Sequence, residues 1–314
     1  MYSLVVPIYR NEESILDLLG VVEVLNARLD RELEVVFVVD GSPDGSQQIL
    51  ESELPKRDFD SQLLLLSRNF GSFAAIRAGL AEASGPYFAV MAADLQEPPE
   101  LVLEFFRALT AEPVDLVLGA REGREDPIAS RWAAGLFWWI YRTLVQPEMP
   151  RGGVDVFGCN RAVRDRLLAL RESNSSLVGL LLWVGFRRKL IPYRRVRRAR
   201  GKSAWTRSKK LRYLSDSMFG FSDLPIRLLL GAGGLGMAAS LLFGAIVFAA
   251  RLLGLIEVPG YSAIVIAISF FAALNMFGLG VIGSYVWRAF ENTKGRPGAI
   301  VMSKARFGRR EGEG

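Results

Sequence analysis

The chain has 314 residues, 50% of them hydrophobic, with 39 Lys+Arg against 33 Asp+Glu, one cysteine and no histidine. The missing histidine excludes imidazole bases, Ser-His or Cys-His nucleophiles and His-liganded zinc, and the lone Cys159 excludes an intramolecular disulfide. Any catalysis must rest on carboxylates, Arg/Lys or an oxygen-liganded metal, and a mean hydropathy of +0.22 directs the search to membrane segments.

The N-terminal MYSLVVPIYRNEES has no basic n-region, and its apolar stretch stops early at Pro7, so a signal peptide is not expected. It reads as a strand, Ser3–Pro7, followed by a helix from about Ser14 to Leu29. A strand at LEVVFVVD (33–40) ends in the turn DGSPDGS, and a helix at about Ser46–Glu53 follows. Next come the strand SQLLLLS, a helix at about Ser72–Ser84, the strand YFAVMAA, a helix at about Pro99–Ala111 and the strand VDLVLGA. Near-continuously apolar strands alternating with helices predict a parallel sheet covered on both faces. In such a sheet the ligand site lies beyond the carboxyl ends of the strands. The polar clusters 9–13, 40–44, 94–97 and 121–124 all fall there, which gathers them into one candidate crevice.

Residues 194–212 are densely basic: either a solvated face or a site for nucleic acid, anionic lipid or phosphate-bearing substrates. The stretch 209–225, KKLRYLSDSMFGFSDLP, predicts an amphipathic interfacial helix with Tyr213, Met218, Phe219 and Phe221 toward lipid. Residues 228–250 and 258–287 carry no charge, and each exceeds the roughly 20 apolar residues that cross a bilayer. Two transmembrane helices are expected, at about 228–250 and 261–287. Gly236, Ser240 and Gly244 offer a small-residue packing face, and Asn275 a hydrogen-bonding group inside the second span. Arg212, Arg227, Arg288, Lys294 and Arg296 flank the spans, so the positive-inside bias puts the N-terminal domain and both termini in the cytoplasm. The expected organisation is a cytoplasmic domain over 1–208, interfacial helices over 209–225, two spans within 226–290 and a basic cytoplasmic tail over 291–314. The tail is expected to be disordered after Phe307.

Two motifs carry chemistry. VDGSPDGS offers Asp40 and nearby amides to a ligand, although the same residues make ordinary turns. ADLQEPPE places Asp94 and Gln96 two apart at a strand-to-loop transition, where both oxygens can aim at one point. A carboxylate and an amide oxygen suit Mg²⁺ or Mn²⁺, with diphosphate and water completing the shell. The structural alternative is a helix cap by Asp94. The Pro-Pro pair stiffens the backbone behind them and starts the next helix.

Together VVPIYRNEES, VVDGSPDGS, LSRNFGSFAAIRAGLAEASG, MAADLQEPPE, VLGAREGRED, GGVDVFGCNR and RARGKSAWTRSKKLRY resemble the family-two glycosyltransferases. Within them the likeness is to the polyprenyl-phosphate branch, which holds dolichol-phosphate mannose synthases and bactoprenol glucosyltransferases, and it covers nearly the whole chain. The resemblance implies a glycosyltransferase A-type α/β fold: a Rossmann-like, mixed and mostly parallel sheet, followed by a two-helix transmembrane hairpin. It implies an inverting transfer of a hexose from a nucleotide sugar, UDP-hexose first among donors, to undecaprenyl or another polyprenyl phosphate. The product would serve cell-surface glycan or lipopolysaccharide modification at the inner membrane.

By position, the resemblance implies that Pro7, Tyr9, Glu12, Asp40, Arg68, Asp94 and Arg121 line the donor nucleotide site. Asp94 and Gln96 hold the metal, Mg²⁺ or Mn²⁺. Arg200, Lys202, Ser203 and Lys209 grip phosphate, and Asp94, Asp155 and Arg131 form the catalytic set, with Asp155 orienting the acceptor. Val39 and Ala92 stand where the family pattern has the first acids of Asp-Asp and Asp-x-Asp. The competing expectation is a non-catalytic, membrane-tethered nucleotide-sugar-binding or scaffold protein. A processive synthase is disfavoured because Ile128 takes the Gln position of Gln-x-x-Arg-Trp. Nucleic acid is not an expected partner, since the basic stretch abuts a membrane span; a homo-oligomer is.

Overall fold

A computed structural model describes residues 1–122, 143, 148–150, 153–170, 172, 176–196, 222, 224–253 and 260–308. Eight strands form one sheet: β1 (Tyr2–Ile8), β2 (Leu33–Val39), β3 (Asp60–Leu66), β4 (Tyr87–Val90), β5 (Leu116–Arg121), β6 (Val154–Asn160), β7 (Arg188–Tyr193) and β8 (Val301–Phe307). Helices α1 (Ile15–Arg28), α2 (Ser46–Glu53), α3 (Ser72–Glu82), α4 (Pro99–Ala111), α5 (Arg161–Ala169) and α6 (Leu177–Trp183) cover it. Two long helices follow, α7 (Leu224–Leu252) and α8 (Tyr261–Thr293).

The strand order is β7-β5-β6-β4-β1-β2-β3-β8. β1 pairs in parallel with β2 and β4, β2 with β3, and β5 with β7; β6 runs antiparallel to both β4 and β5, and β8 antiparallel to β3. The sheet is thus mixed, with a parallel centre, as expected. Its central strands are buried on both faces: every residue of β2 is buried. α1 shows why helix and sheet meet, burying Ile15, Leu18, Leu19, Val22 and Leu25 on one stripe. Residues from α1, α2 and α4 pack on one sheet face, and those from α3, α5 and α6 on the other.

The buried β2 contains one acid, Glu34. It accepts hydrogen bonds from Ser3 Oγ (2.7 Å), Gln62 Nε2 (2.7 Å), Ser84 N (2.9 Å) and Ser84 Oγ (2.9 Å). That network joins three strands to the start of β4 at the sheet end opposite the crevice.

Two features of the sheet shape the crevice. β4 leaves the ladder at Val90, paired with Val5, while β1 continues to Ile8 beside β2. β4 therefore ends sooner than the strand YFAVMAA implies, and residues 91–98 form a loop over the sheet end. β6 runs the other way, so Asp155 near its N-terminus shares an edge with the carboxyl ends of β4, β5 and β7.

β8 lies within the segment expected to be a basic tail. It pairs from Ser61↔Phe307 to Leu66↔Val301, Ser67 N donates to Ile300 O (3.0 Å), and Lys304 pairs with Glu82. An edge strand exposes one flank of polar backbone; β8 covers that flank of β3.

α7 and α8 lie antiparallel. A Cβ on Gly236 of α7 would sit 3.5 Å from Phe271, and one on Gly278 of α8 3.2 Å from Leu229. Gly236 of the expected small-residue face thus meets α8; the side chains at 240 and 244 lie outside those described. Asn275 is exposed. Leu230, Leu235, Phe243 and Ile246 of α7 and Ile268, Met276 and Phe277 of α8 are exposed as well. Among the described residues one segment, Phe270–Thr293, is long and apolar enough to cross a membrane. Of the expected interfacial stretch 209–225, residues 209–221 and 223 lie outside the described residues, and 224–225 already belong to α7.

Candidate active site

The loops after β1 and β2 are built as one unit. Arg10 adopts φ 58° and its N–H donates to Ser42 Oγ (2.7 Å), which donates to Asp44 Oδ1 (2.6 Å). Glu12 N donates to Asp44 Oδ2 (3.1 Å), Ser46 N to Asp44 Oδ1 (3.2 Å), and Gly45 N to Glu12 Oε2 (2.9 Å). Burial pushes the Asp44 carboxyl up, but the hydrogen bonds from Ser42, Ser46 and Glu12 outweigh it and hold the group below its usual range. Pro7 lies opposite Val38, and Tyr9 is half-buried with the Arg10 guanidinium 5.5 Å from its ring centre.

Asp40 is buried, and both its oxygens serve the backbone: Phe70 N donates to Oδ1 (2.7 Å) and Gly71 N to Oδ2 (2.8 Å). It therefore fixes the loop that opens α3, and with it Arg68, whose guanidinium lies 4.1 Å from the Phe70 ring centre. Gly41 has φ 55°, and a Cβ there would come within 2.3 Å of the Arg68 carbonyl carbon, so only glycine fits.

The loop after β4 carries Asp94, Leu95, Gln96 and Glu97. Leu95 takes a left-handed φ of 52°, an uncommon conformation for a bulky residue. Gln96 is clasped to Val196: Val196 N donates to Gln96 O (2.8 Å), and Gln96 Nε2 donates to Val196 O (3.3 Å). The second bond leaves Gln96 Oε1 as the oxygen for another partner. Ser14 Oγ donates to Ala93 O (3.0 Å), which ties this loop to the start of α1.

From the antiparallel side come Asp155, Arg121 and Tyr193. Arg121 Nε and the Tyr193 hydroxyl both donate to Asp155 Oδ2, at 3.0 and 2.8 Å, and Arg121 Nη2 does so too. Burial pulls Arg121 down, but the Asp155 charge and hydrogen bond outweigh it and hold the guanidinium above its usual range. Burial and the same aspartate push the Tyr193 phenol far up, so it remains a donor. Glu97 is 2% exposed; burial, with Asp94 and Asp155 nearby, raises its carboxyl to about 7 against the pull of Arg195.

The structure thus brings Asp94, Gln96, Asp155 and Arg121 to one sheet edge, beside the loops that hold Tyr9, Glu12 and Asp40. Arg131, Arg200, Lys202, Ser203 and Lys209 lie outside the described residues. Glu97, Tyr193 and Arg195 belong to the same cluster; the sequence placed Glu97 in the crevice without giving it a role, and it did not point to Tyr193 or Arg195. Glu97 stood in plain view beside Gln96, whereas nothing local marked Tyr193 and Arg195.

Among the described residues no group of three His, Cys, Asp or Glu side chains is placed to hold a metal. The donor set, Asp94 with the amide oxygen of Gln96, still fits a hard divalent cation of the kind that takes one or two protein oxygens and completes its shell with substrate phosphates and water.

Residues 3–170 match the family described as Glycosyl transferase family 2. The chain is 32% identical over 302 residues to the uncharacterized glycosyltransferase YkcC of Bacillus subtilis, covering 96% of this chain and 93% of that one. It is 30% identical over 302 residues to the uncharacterized glycosyltransferase sll0501 of Synechocystis, covering 95% and 94%. It is also 30% identical over 305 residues to the bactoprenol glucosyl transferase of Shigella phage SfII, covering 97% and 98%. With the family matched over residues 3–170, more than half of the chain, and relatives matched over nearly its full length, the chain is a glycosyltransferase and belongs to glycosyl transferase family 2.

Proposed function

We propose that this protein moves a hexose from a nucleotide sugar, UDP-hexose in the first place, to the phosphate of a polyprenyl lipid at the cytoplasmic face of the inner membrane. The product is a lipid-linked sugar for cell-surface glycan or lipopolysaccharide modification. The observation that carries this reading is the Gln96–Val196 clasp. It joins the loop suited to a metal–diphosphate with the chain that runs at once into the basic segment and then the apolar helices. The full-length likeness to bactoprenol glucosyl transferases supports the same acceptor.

The chemistry needs little from the protein beyond charge and position. A phosphate oxygen of the acceptor attacks the anomeric carbon from the face opposite the diphosphate. The new C–O bond forms as the bond to the nucleoside diphosphate breaks, and the anomeric configuration inverts. The acceptor is already an anion, so no strong base is required, in keeping with a chain without histidine. Mg²⁺ or Mn²⁺, held by Asp94 and Gln96, would supply charge neutralisation on the leaving diphosphate. Asp155 engages Arg121 and Tyr193, which suits an orienting group better than a proton acceptor. Because Arg121 is compensated by Asp155, spare positive charge for the two phosphates must come from elsewhere, and Arg131, Arg200, Lys202 and Lys209, with the hydroxyl of Ser203, are its proposed sources.

The helices support a membrane hairpin. β8 follows α8 yet joins the sheet that precedes α7, which supports a hairpin with both ends on the same side of the bilayer.

The test incubates the full-length protein in detergent with undecaprenyl phosphate, Mg²⁺ or Mn²⁺ and a panel of nucleotide sugars. Expected is a lipid-linked hexose with the anomeric configuration opposite to that of the donor, lost in Asp94→Asn. No lipid-linked product from any donor would overturn the reading.

A further inference from the structure

Glu97 is a carboxylate of the crevice that the chemistry above does not use. It is 2% exposed, and its Oε2 has no hydrogen-bond partner among the described residues. A buried carboxylate with an unsatisfied oxygen is costly, and an apolar side chain would fill the place at less cost. Core packing therefore does not account for an acid here. Helix capping does not either: the N-cap of α4 is Pro98, and no side chain caps that helix. Nor does Arg195 require it. Arg195 Nε stands 3.7 Å from Glu97 Oε1, outside hydrogen-bond range, and its side chain is 33% accessible and solvated without a partner.

The backbone that carries this carboxylate is fixed on both sides. Before it, Gln96 is clasped to Val196 by two hydrogen bonds; after it, Pro98 and Pro99 lock two successive φ angles. The charge is thus held at a set place, and Asp94 and Asp155 stand close enough to act on it. Asp155 is matched by its hydrogen-bonded partner Arg121. Glu97 and Asp94 remain as like charges in one loop, and like charges in a poorly solvated place are relieved by a cation.

Asp94 and Gln96 bring only one negative charge to a divalent ion. Resting on the metal that the proposed function gives to that pair, we infer that Glu97 is a positioning residue for the cation: it supplies the second negative charge of the site from a buried, fixed place, acting through space and not as a ligand. Among the described residues no three His, Cys, Asp or Glu side chains are placed to hold a metal together, which fits a part in charge and not in coordination. A buried charge is screened little by salt, so its influence reaches past its own contacts. Arg195 offsets part of that charge and works against the cation.

The experiment measures Mn²⁺ binding to the full-length protein in detergent with UDP present, read from the loss of the free Mn²⁺ EPR signal, and needs no turnover. Glu97→Gln, nearly the same size, raises the Kd for Mn²⁺ about tenfold, the size of loss seen when a group behind a metal's ligands is removed. Glu97→Asp, which keeps the charge, stays within about threefold of the parent protein. Arg195→Gln lowers the Kd, because nothing then offsets Glu97. An unchanged Kd in Glu97→Gln, or an equal loss in Glu97→Asp, would overturn the inference. So would a weaker Mn²⁺ site in Arg195→Gln, which would mean that Glu97 acts through Arg195.

Melting in EDTA separates this part from a structural one. There Glu97→Gln melts no lower than the parent protein, since it removes a buried charge that lacks its cation, and Mn²⁺ with UDP then raises the melting temperature of the parent more than that of the variant. A variant already less stable in EDTA would mark the acid as structural and overturn the inference. If Mn²⁺ binds but no sugar reaches the lipid, the proposed function fails and the affinities still judge Glu97. A parent protein that binds no Mn²⁺ with UDP overturns the inference together with the metal assignment.

Discussion

Leu95, at φ 52°, stands between Asp94 and Gln96, and this strained backbone sits where the crevice has its most polar loop. The two acids missing from the family pattern fall in different environments. Val39 is 2% exposed in the core, opposite Ile8 and Leu65, where an aspartate would be buried among apolar groups. Ala92 is half-buried in the loop near Asp94 and could carry a carboxylate toward the crevice. Ala92→Asp should therefore fold normally and lower the divalent-metal concentration for half-maximal transfer by about tenfold, through a second charged ligand. A metal titration of the purified variant checks this; an unchanged midpoint would place Ala92 outside the metal's reach.

Glu34 shows how an element can depend on one buried acid. Burial favours its neutral form, but hydrogen bonds from Ser3, Ser84 and Gln62 outweigh that and hold its carboxyl below the usual 4.5. A depressed folded value means that the stability it adds is fully present above about pH 4.5 and is lost as pH falls through the folded value. Glu34→Gln should unfold at a lower temperature than the parent protein at pH 7, and the gap should shrink as pH falls from 5 toward 3; thermal scans across that range check it. The strand holding Glu34 was legible in the sequence, because LEVVFVV reads as doubly buried whatever its partner. So were Asp94 and Gln96, since an apolar run that ends in polar residues marks the carboxyl edge of a strand. Tyr193 and Arg195 were not legible, because they reach the site only through the parallel pairing of β7 with β5 and the reversed β6. β8 was hidden for a similar reason: its seven residues gain meaning only beside β3, far away in the chain.

At the scale of the whole molecule, the sheet gives the proposed membrane topology a test. β3 and β8 are hydrogen-bonded neighbours, and the helix pair lies between them in the chain. The single cysteine makes this testable, since Cys159 is fully buried and burial pushes its thiol up to about 12, out of reach of maleimides. Cysteines introduced at the exposed positions Leu16 and Met302 should both resist an impermeant maleimide on intact cells and both react after permeabilisation. Labelling of one without the other would break the shared-sheet topology, and labelling of both on intact cells would place the domain outside. The most direct test of the central claim is the stoichiometry of one turnover in the purified protein. With undecaprenyl phosphate, UDP-hexose and Mn²⁺ or Mg²⁺, one UDP should be released for each lipid-linked hexose formed, and Asp94→Asn should abolish both together. UDP release without a lipid-linked product, or product formation undiminished in Asp94→Asn, would contradict it.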